Sequence, residues 1–162
     1  MTTQVLPPAS KPWSAARVLL VGAFIVGTLD LADALVFFGL RGVKPVRIPQ
    51  SIASGVLGRA SFSGGIPTAL LGVLLHYFIA FGIVTTYYLA SRKITALARD
   101  PVIGGMAYGI LAYCFMNLVV VPLSAARGGQ PSIPVFINGV LIHMFGVGLP
   151  SALVVRRAAL SA

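Results

Sequence analysis

His76 and His143, with Asp30, Asp33 and Asp100, are the only His, Asp and Glu residues in this chain. Four of these five lie within long apolar runs, where an ionisable group is expensive. An Asp at the centre of a membrane-spanning helix costs about 2.5–3.5 kcal/mol to insert, and each Leu, Ile, Val or Phe returns only about 0.3–0.6 kcal/mol. Residues of this kind face a bundle interior, pair with one another and mark ion paths, proton relays or cofactor sites. Asp30 and Asp33 are three residues apart and share a helix face. That face is expected to point inward, toward the histidines. A neighbouring imidazole can share a proton with such carboxyls, giving one coupled group. The histidines also suit a second chemistry, as axial ligands to a b-type haem with Gly72 and Gly139 making room one turn away. A third arrangement has both histidines, Asp30 and Asp33 around a divalent metal. The residues alone leave the cofactor unknown.

The elements that would position these groups are transmembrane helices. Crossing the hydrocarbon core takes about 20 apolar residues, and four stretches qualify, over 18–40, 66–90, 102–123 and 133–155. The last three carry no charged residue. Only 9% of the 162 residues are charged and 57% are hydrophobic, with a mean hydropathy of +0.95. A soluble domain carries about 25% charge, so the bilayer is the solvent that fits. The net charge is +9 with no Glu, but the cations flank the apolar runs, as residues that meet lipid headgroups do. The lipid bilayer, not nucleic acid, is the expected partner. Cys114 is alone, so no intrachain disulfide forms. The chain reads as a single membrane domain over 1–162. A signal-peptide reading of the first run, with cleavage near Ala32-Asp33-Ala34, is disfavoured because apolar sequence resumes at Leu35.

Counting along these helices brings the polar groups to one level. Asp30 lies ten residues before Leu40, His76 ten after Ile66 and His143 ten after Ile133. All three are about 15 Å deep, near the midplane of a core of about 30 Å. Asp33 is about one turn shallower, and Asn117 and Asn138 lie about five residues from the same helix ends. Small and polar stripes line the four helices: Ala23, Gly27, Asp30 and Ala34; Gly72, His76 and Ala80; Gly105, Gly109, Tyr113 and Asn117; Gly139, His143, Gly146 and Pro150. Such stripes serve close helix packing, and Asn117 and Asn138 suit interhelical hydrogen bonds. Pro150 is expected to kink the fourth helix.

The second and fourth helices also repeat one another. Ile66-Pro67, Gly72-Val73-Leu74, His76 and Phe78 recur 67 positions later as Ile133-Pro134, Gly139-Val140-Leu141, His143 and Phe145. The first and third match more faintly, through Gly22, Gly27 and Leu29 against Gly104, Gly109 and Leu111. Two parallel two-helix repeats would be related by an axis along the membrane normal, with His76 and His143 at equivalent depths.

The first loop, 41–65, is long and basic. Ile48, Ile52 and Val56 recur every four residues after a Pro49 start, with Gln50, Ser51 and Ser54 on other faces. This predicts a short amphipathic helix flat on the membrane surface, or a re-entrant piece that covers a site. The cation count sets orientation. Seven (Lys11, Arg17, Arg92, Lys93, Arg99, Arg156, Arg157) stand on the side of the termini, against five (Arg41, Lys44, Arg47, Arg59, Arg127) on the other. The majority places both termini inside.

Gly72-x-x-x-His76-x-Phe78 with the downstream Tyr87, and the Leu118-to-Leu123 segment ending the third helix at Pro122, resemble a group of small uncharacterised bacterial inner-membrane proteins with four transmembrane helices. The resemblance covers roughly two-thirds of the chain. It implies a bacterial inner-membrane location and, through members linked to acid resistance, a titratable intramembrane site. It carries over no catalytic residue, and the long basic first loop departs from the pattern.

Three functions stay open. The first is a proton- or ion-coupled role in transport or acid stress; the second is a haem or metal protein; the third is a structural or assembly protein whose polar seam only fixes helix pairing. Homo-oligomers are compatible with each. An enzyme is not expected: no Ser-His-Asp spacing is present, and Ser61 to Gly65 lacks the Lys and Ser/Thr that complete a phosphate loop.

Overall fold

The computed structural model describes residues 13–126 and 131–159; Lys11 and Arg127 of the charge count lie outside them. The described residues form helices and no strand. Helix α1 is Ala15–Gly39, α2 is Arg47–Leu57, α3 is Gly65–Lys93 and α4 is Thr95–Arg99. Helix α5 covers Pro101–Leu123 and α6 covers Ile133–Arg157, and a 3₁₀ turn, Gly58–Ser63, joins α2 to α3. Helices α1, α3, α5 and α6 are each long and apolar enough to cross a membrane. The protein is an all-α, polytopic membrane protein. Its outward residues agree: Leu74, Phe78 and Leu118 are 70%, 74% and 75% exposed, a surface suited to lipid and not to water.

Local chemistry sets the helix ends. Ser14 caps α1, its Oγ accepting from the Arg17 amide at 3.3 Å. Pro101 and Pro134 occupy first-turn positions of α5 and α6, where the missing N–H is not needed. Arg92 and Lys93 close α3, which suits the helix dipole.

Helix α1 packs between α3 and α6, and α6 packs between α1 and α5. At the end where Trp13 and Arg157 lie the bundle is tight. Val18, Tyr87, Ala152, Val154 and Val155 form a buried cluster there. The Tyr108 hydroxyl donates to the Ile83 carbonyl at 2.7 Å, and the Tyr87 hydroxyl to the Leu97 carbonyl at 3.0 Å. Trp13 lies under the guanidinium groups of Arg17, at 4.4 Å, and Arg157, at 5.9 Å. The first and last helices therefore meet at one end of the bundle. The opposite end, which bears α2, is the loop end.

Two helices depart from α geometry, and each does so just before a proline. Met116–Val120 of α5 forms a π-helical stretch ahead of Pro122, and His143–Gly148 of α6 does so ahead of Pro150. A proline ring clashes with the carbonyl four residues earlier, here that of Leu118 or Gly146. A wider π turn moves that carbonyl aside. The kink expected at Pro150 is thus taken up by a π turn that contains His143. Between these helices the backbones touch. A Cβ on Gly109 would run into the carbonyl of His143, so glycine is what allows α5 and α6 this approach.

Candidate functional site

Asp30, from the middle of α1, lies between the two histidines. His76 Nδ1 is 4.0 Å from Asp30 Oδ2, and His143 Nδ1 is 4.0 Å from Asp30 Oδ1. His76 is buried, and neither imidazole is turned out to lipid: their side chains are 10% and 16% exposed. Side-chain position on three helices brings the groups together: α1 supplies the acid, α3 and α6 the bases.

The backbone fixes the ring hydrogens. His76 Nε2 is 2.8 Å from the Gly27 carbonyl oxygen, and His143 Nδ1 is 2.9 Å from the Gly139 carbonyl oxygen. A carbonyl only accepts, so His76 Nε2 and His143 Nδ1 must each carry hydrogen; the tautomers are assigned from these partners. His143 Nδ1–H then faces both Gly139 and Asp30. In a neutral His76, Nδ1 would turn a lone pair toward a carboxylate oxygen. The arrangement becomes attractive when one further proton sits on His76 Nδ1 or on Asp30 Oδ2. A separation of 4.0 Å is too long for a direct hydrogen bond and within reach of an ion pair.

Asp33 does not join this group. Its Oδ2 accepts from Asn138 Nδ2 at 2.7 Å, which corrects the expectation that both acids point at the histidines. Three residues is 300° of helical turn, 60° short of a full one, and that offset carries Asp33 from the cavity wall onto α6. Asn117 Nδ2 donates to the Tyr113 carbonyl at 2.9 Å, back along its own helix, while its side chain lines the cavity. Tyr113 meets the His143 ring edge-on at 5.3 Å.

These positions decide the cofactor readings. His76 Nε2 is taken by the Gly27 carbonyl at 2.8 Å, and its Nδ1 faces the Asp30 carboxyl at 4.0 Å. A bis-histidine haem needs a nitrogen on each ring open to the iron, and on His76 the Asp30 carboxyl stands in that approach, so the two rings as placed do not fit it. With Asp33 drawn to Asn138, no three His, Cys, Asp or Glu side chains among the described residues form a metal-holding group. The four-ligand divalent site finds no donor set in this fold.

The triad opens on a cavity of about 570 Å³ in the loop-end half of the bundle. Val26, Ala80, Ile83 and Val147 line its floor, one to two turns below the triad. Phe38, Val43, Arg47 and Phe62 line its mouth, and Ile48, Ser51 and Ile52 of α2 form one wall. Helix α2 therefore walls the cavity on one side. Its Pro49 backbone fills the space that a Cβ on Gly72 would take, about 10 Å along α3 from Gly65. The Gln50 amide donates to the Gly65 carbonyl at 2.9 Å and to Thr68 Oγ1 at 3.3 Å. Gln50 and Ser54, assigned by periodicity to other faces, are buried, and Val56 is 63% exposed. Hydrogen bonding to the first turn of α3 buries a second, polar face of α2 beside the Ile48 and Ile52 face that the apolar spacing predicted. Arg47, Phe62 and Phe38 were not among the expected site residues. The one hint was Ile48 and Ile52 in a loop too long for a simple connection.

Comparison of the chain with protein-family models, with curated proteins and with solved structures returns no match. The site must be read from its own chemistry.

Proposed function

We propose that this polytopic protein handles protons inside the membrane, with Asp30, His76 and His143 as the proton-binding group. The observation that carries this reading is one carboxyl held between two imidazoles whose backbone partners leave a vacancy for one proton between His76 Nδ1 and Asp30 Oδ2. Passage of a proton between those two atoms, 4.0 Å apart, takes a bridging water or a small side-chain rotation and no movement of a helix. The cavity gives that proton a route to the loop end of the bundle. The role that suits this is proton- or ion-coupled transport or acid-stress response, in a bacterial inner membrane with both termini inside. No enzymatic activity belongs to this reading. The recurrence of Ile-Pro, Gly-Val-Leu, His and Phe at an offset of 67 positions fits this reading, since both histidines come within 4.0 Å of Asp30. The Asp33–Asn138 bond favours a structural role for that second pair, as a tie between α1 and α6.

Infrared difference titration of the purified protein tests the reading. The groups that bear on Asp30 are His76 on α3, His143 on α6, Asp33 one turn along α1 and Arg47 on α2, at the cavity mouth. A protonated-carboxyl band that titrates in the wild type, vanishes in Asp30→Asn and persists in Asp33→Asn is the expected result. In cells, Asp30→Asn should accumulate normally in the membrane and lose the acid-survival phenotype. A titration unchanged by Asp30→Asn would refute the assignment.

A further inference from the structure

The cavity is much larger than a proton site requires. Its volume of about 570 Å³ falls within the roughly 300–1,000 Å³ typical of small-molecule pockets. Its shape is long: on α1 the lining runs from Val26 to Phe38, about 18 Å at 1.5 Å per residue. The floor and most of the walls are hydrocarbon, so an occupant must bring an apolar body. The mouth has the opposite character. Arg47 stands there, with one N–H of its guanidinium donating to the Phe62 carbonyl at 3.2 Å and the group 5.4 Å above the Phe62 ring. A guanidinium has five N–H donors in a planar fork that matches a carboxylate, so the side chain is fixed in place with donors to spare. Arg41, Lys44 and Arg59 add charge to the same segment, and 41–65 contains no acid. The field at the mouth draws anions and repels cations.

We propose that this cavity binds a single-tailed carboxylate amphiphile, with the tail along α1 toward Val26 and the carboxylate on Arg47. The inference stands on the cavity and its basic rim, and not on the proton-binding reading of the triad. Charge complementarity at Arg47 selects the head, and a volume of about 570 Å³ suits one alkyl chain over the two of a phospholipid.

Decanoate is the probe. The full-length protein in nanodiscs of zwitterionic phosphatidylcholine is dialysed against radiolabelled decanoate, beside empty nanodiscs. Saturable uptake above the empty discs is expected, weakened at least tenfold by Arg47→Gln. Decanol and decyltrimethylammonium, with the same tail, should compete at least tenfold less well than unlabelled decanoate. Ile48→Trp and, on the opposite wall, Ala34→Phe fill the cavity and should abolish uptake; circular dichroism melts identify which of the two retains its fold. Asp33→Asn, outside the cavity lining, should bind decanoate like the wild type; the infrared titration of Asp30 is read without decanoate, so a failure of the proton assignment would leave this site standing. Absence of saturable uptake, equal competition by decyltrimethylammonium, or an unaltered Arg47→Gln would each overturn the proposal.

Discussion

Replacing Gly72 by alanine adds one methyl group to α3, and the structure says what it meets. The new Cβ would fall on the backbone of Pro49, with Pro49 Cα only 3.1 Å away and its carbonyl group closer. Backbone atoms cannot rotate aside as a side chain can, so α2 must lift from α3. Overpacking of this kind costs about 1–3 kcal/mol. If α2 lifts far enough to relieve it, the Gln50 bonds to Gly65 and Thr68 are lost instead, at about 0.5–1.5 kcal/mol each. Alanine returns about 0.8–1.0 kcal/mol of helix propensity. Because α2 either strains or lifts, the two costs are alternatives and the net loss is about 0–2 kcal/mol, against a gain for the control. Gly82→Ala, in the same helix, is the control: a Cβ there meets nothing within 4 Å, so the substitution should be neutral or stabilising by up to about 1 kcal/mol. Unfolding in mixed micelles, followed by circular dichroism, measures the difference. Maleimide labelling of Ser54→Cys in a Cys114→Ala background locates it, since Ser54 is buried: the thiol should be protected beside Gly72 and accessible beside Ala. Equal stability of the two alanine variants, with Ser54→Cys protected in both, would show that α2 does not dock on α3 as described.

Asn138→Leu should destabilise the protein by about 1–3 kcal/mol by leaving the half-buried Asp33 carboxyl without its donor. The double variant Asp33→Leu/Asn138→Leu should recover most of that loss in the same unfolding assay. Tyr108→Phe removes the hydroxyl that donates to Ile83 and should cost about 1 kcal/mol, with faster hydrogen exchange where α3 meets α5. Reporter fusions at the two termini should report one side of the membrane, because Trp13 and Arg157 meet at one end of the bundle.

Hydropathy alone determined the four spans, whose limits in the structure lie within about three residues of those read from composition. The level shared by Asp30, His76 and His143 was equally legible, because depth follows from counting residues at a fixed rise in helices of alternating direction. The inward stripes were legible too: Gly27, Gly72, Gly105, Gly109 and Gly146 are buried. Rotation about the helix axes was not. Asp30 and Asp33 share a face in the sequence, yet 60° of helical phase sends one to the histidines and the other to Asn138. The π turns at Met116–Val120 and His143–Gly148 shift the phase of α5 and α6 where the site is built, and sequence periodicity assumes a constant 3.6 residues per turn. Helix α2 shows the same limit. Its apolar spacing placed Ile48 and Ile52 inward, as they are, but gave no sign that Gln50 and Ser54 are buried too, with Gln50 bonded to residues 15 and 18 positions away, or that Val56 is exposed. The cavity belongs wholly to the tertiary structure, since its walls come from five helices and the 3₁₀ turn, and no single segment encloses any part of it.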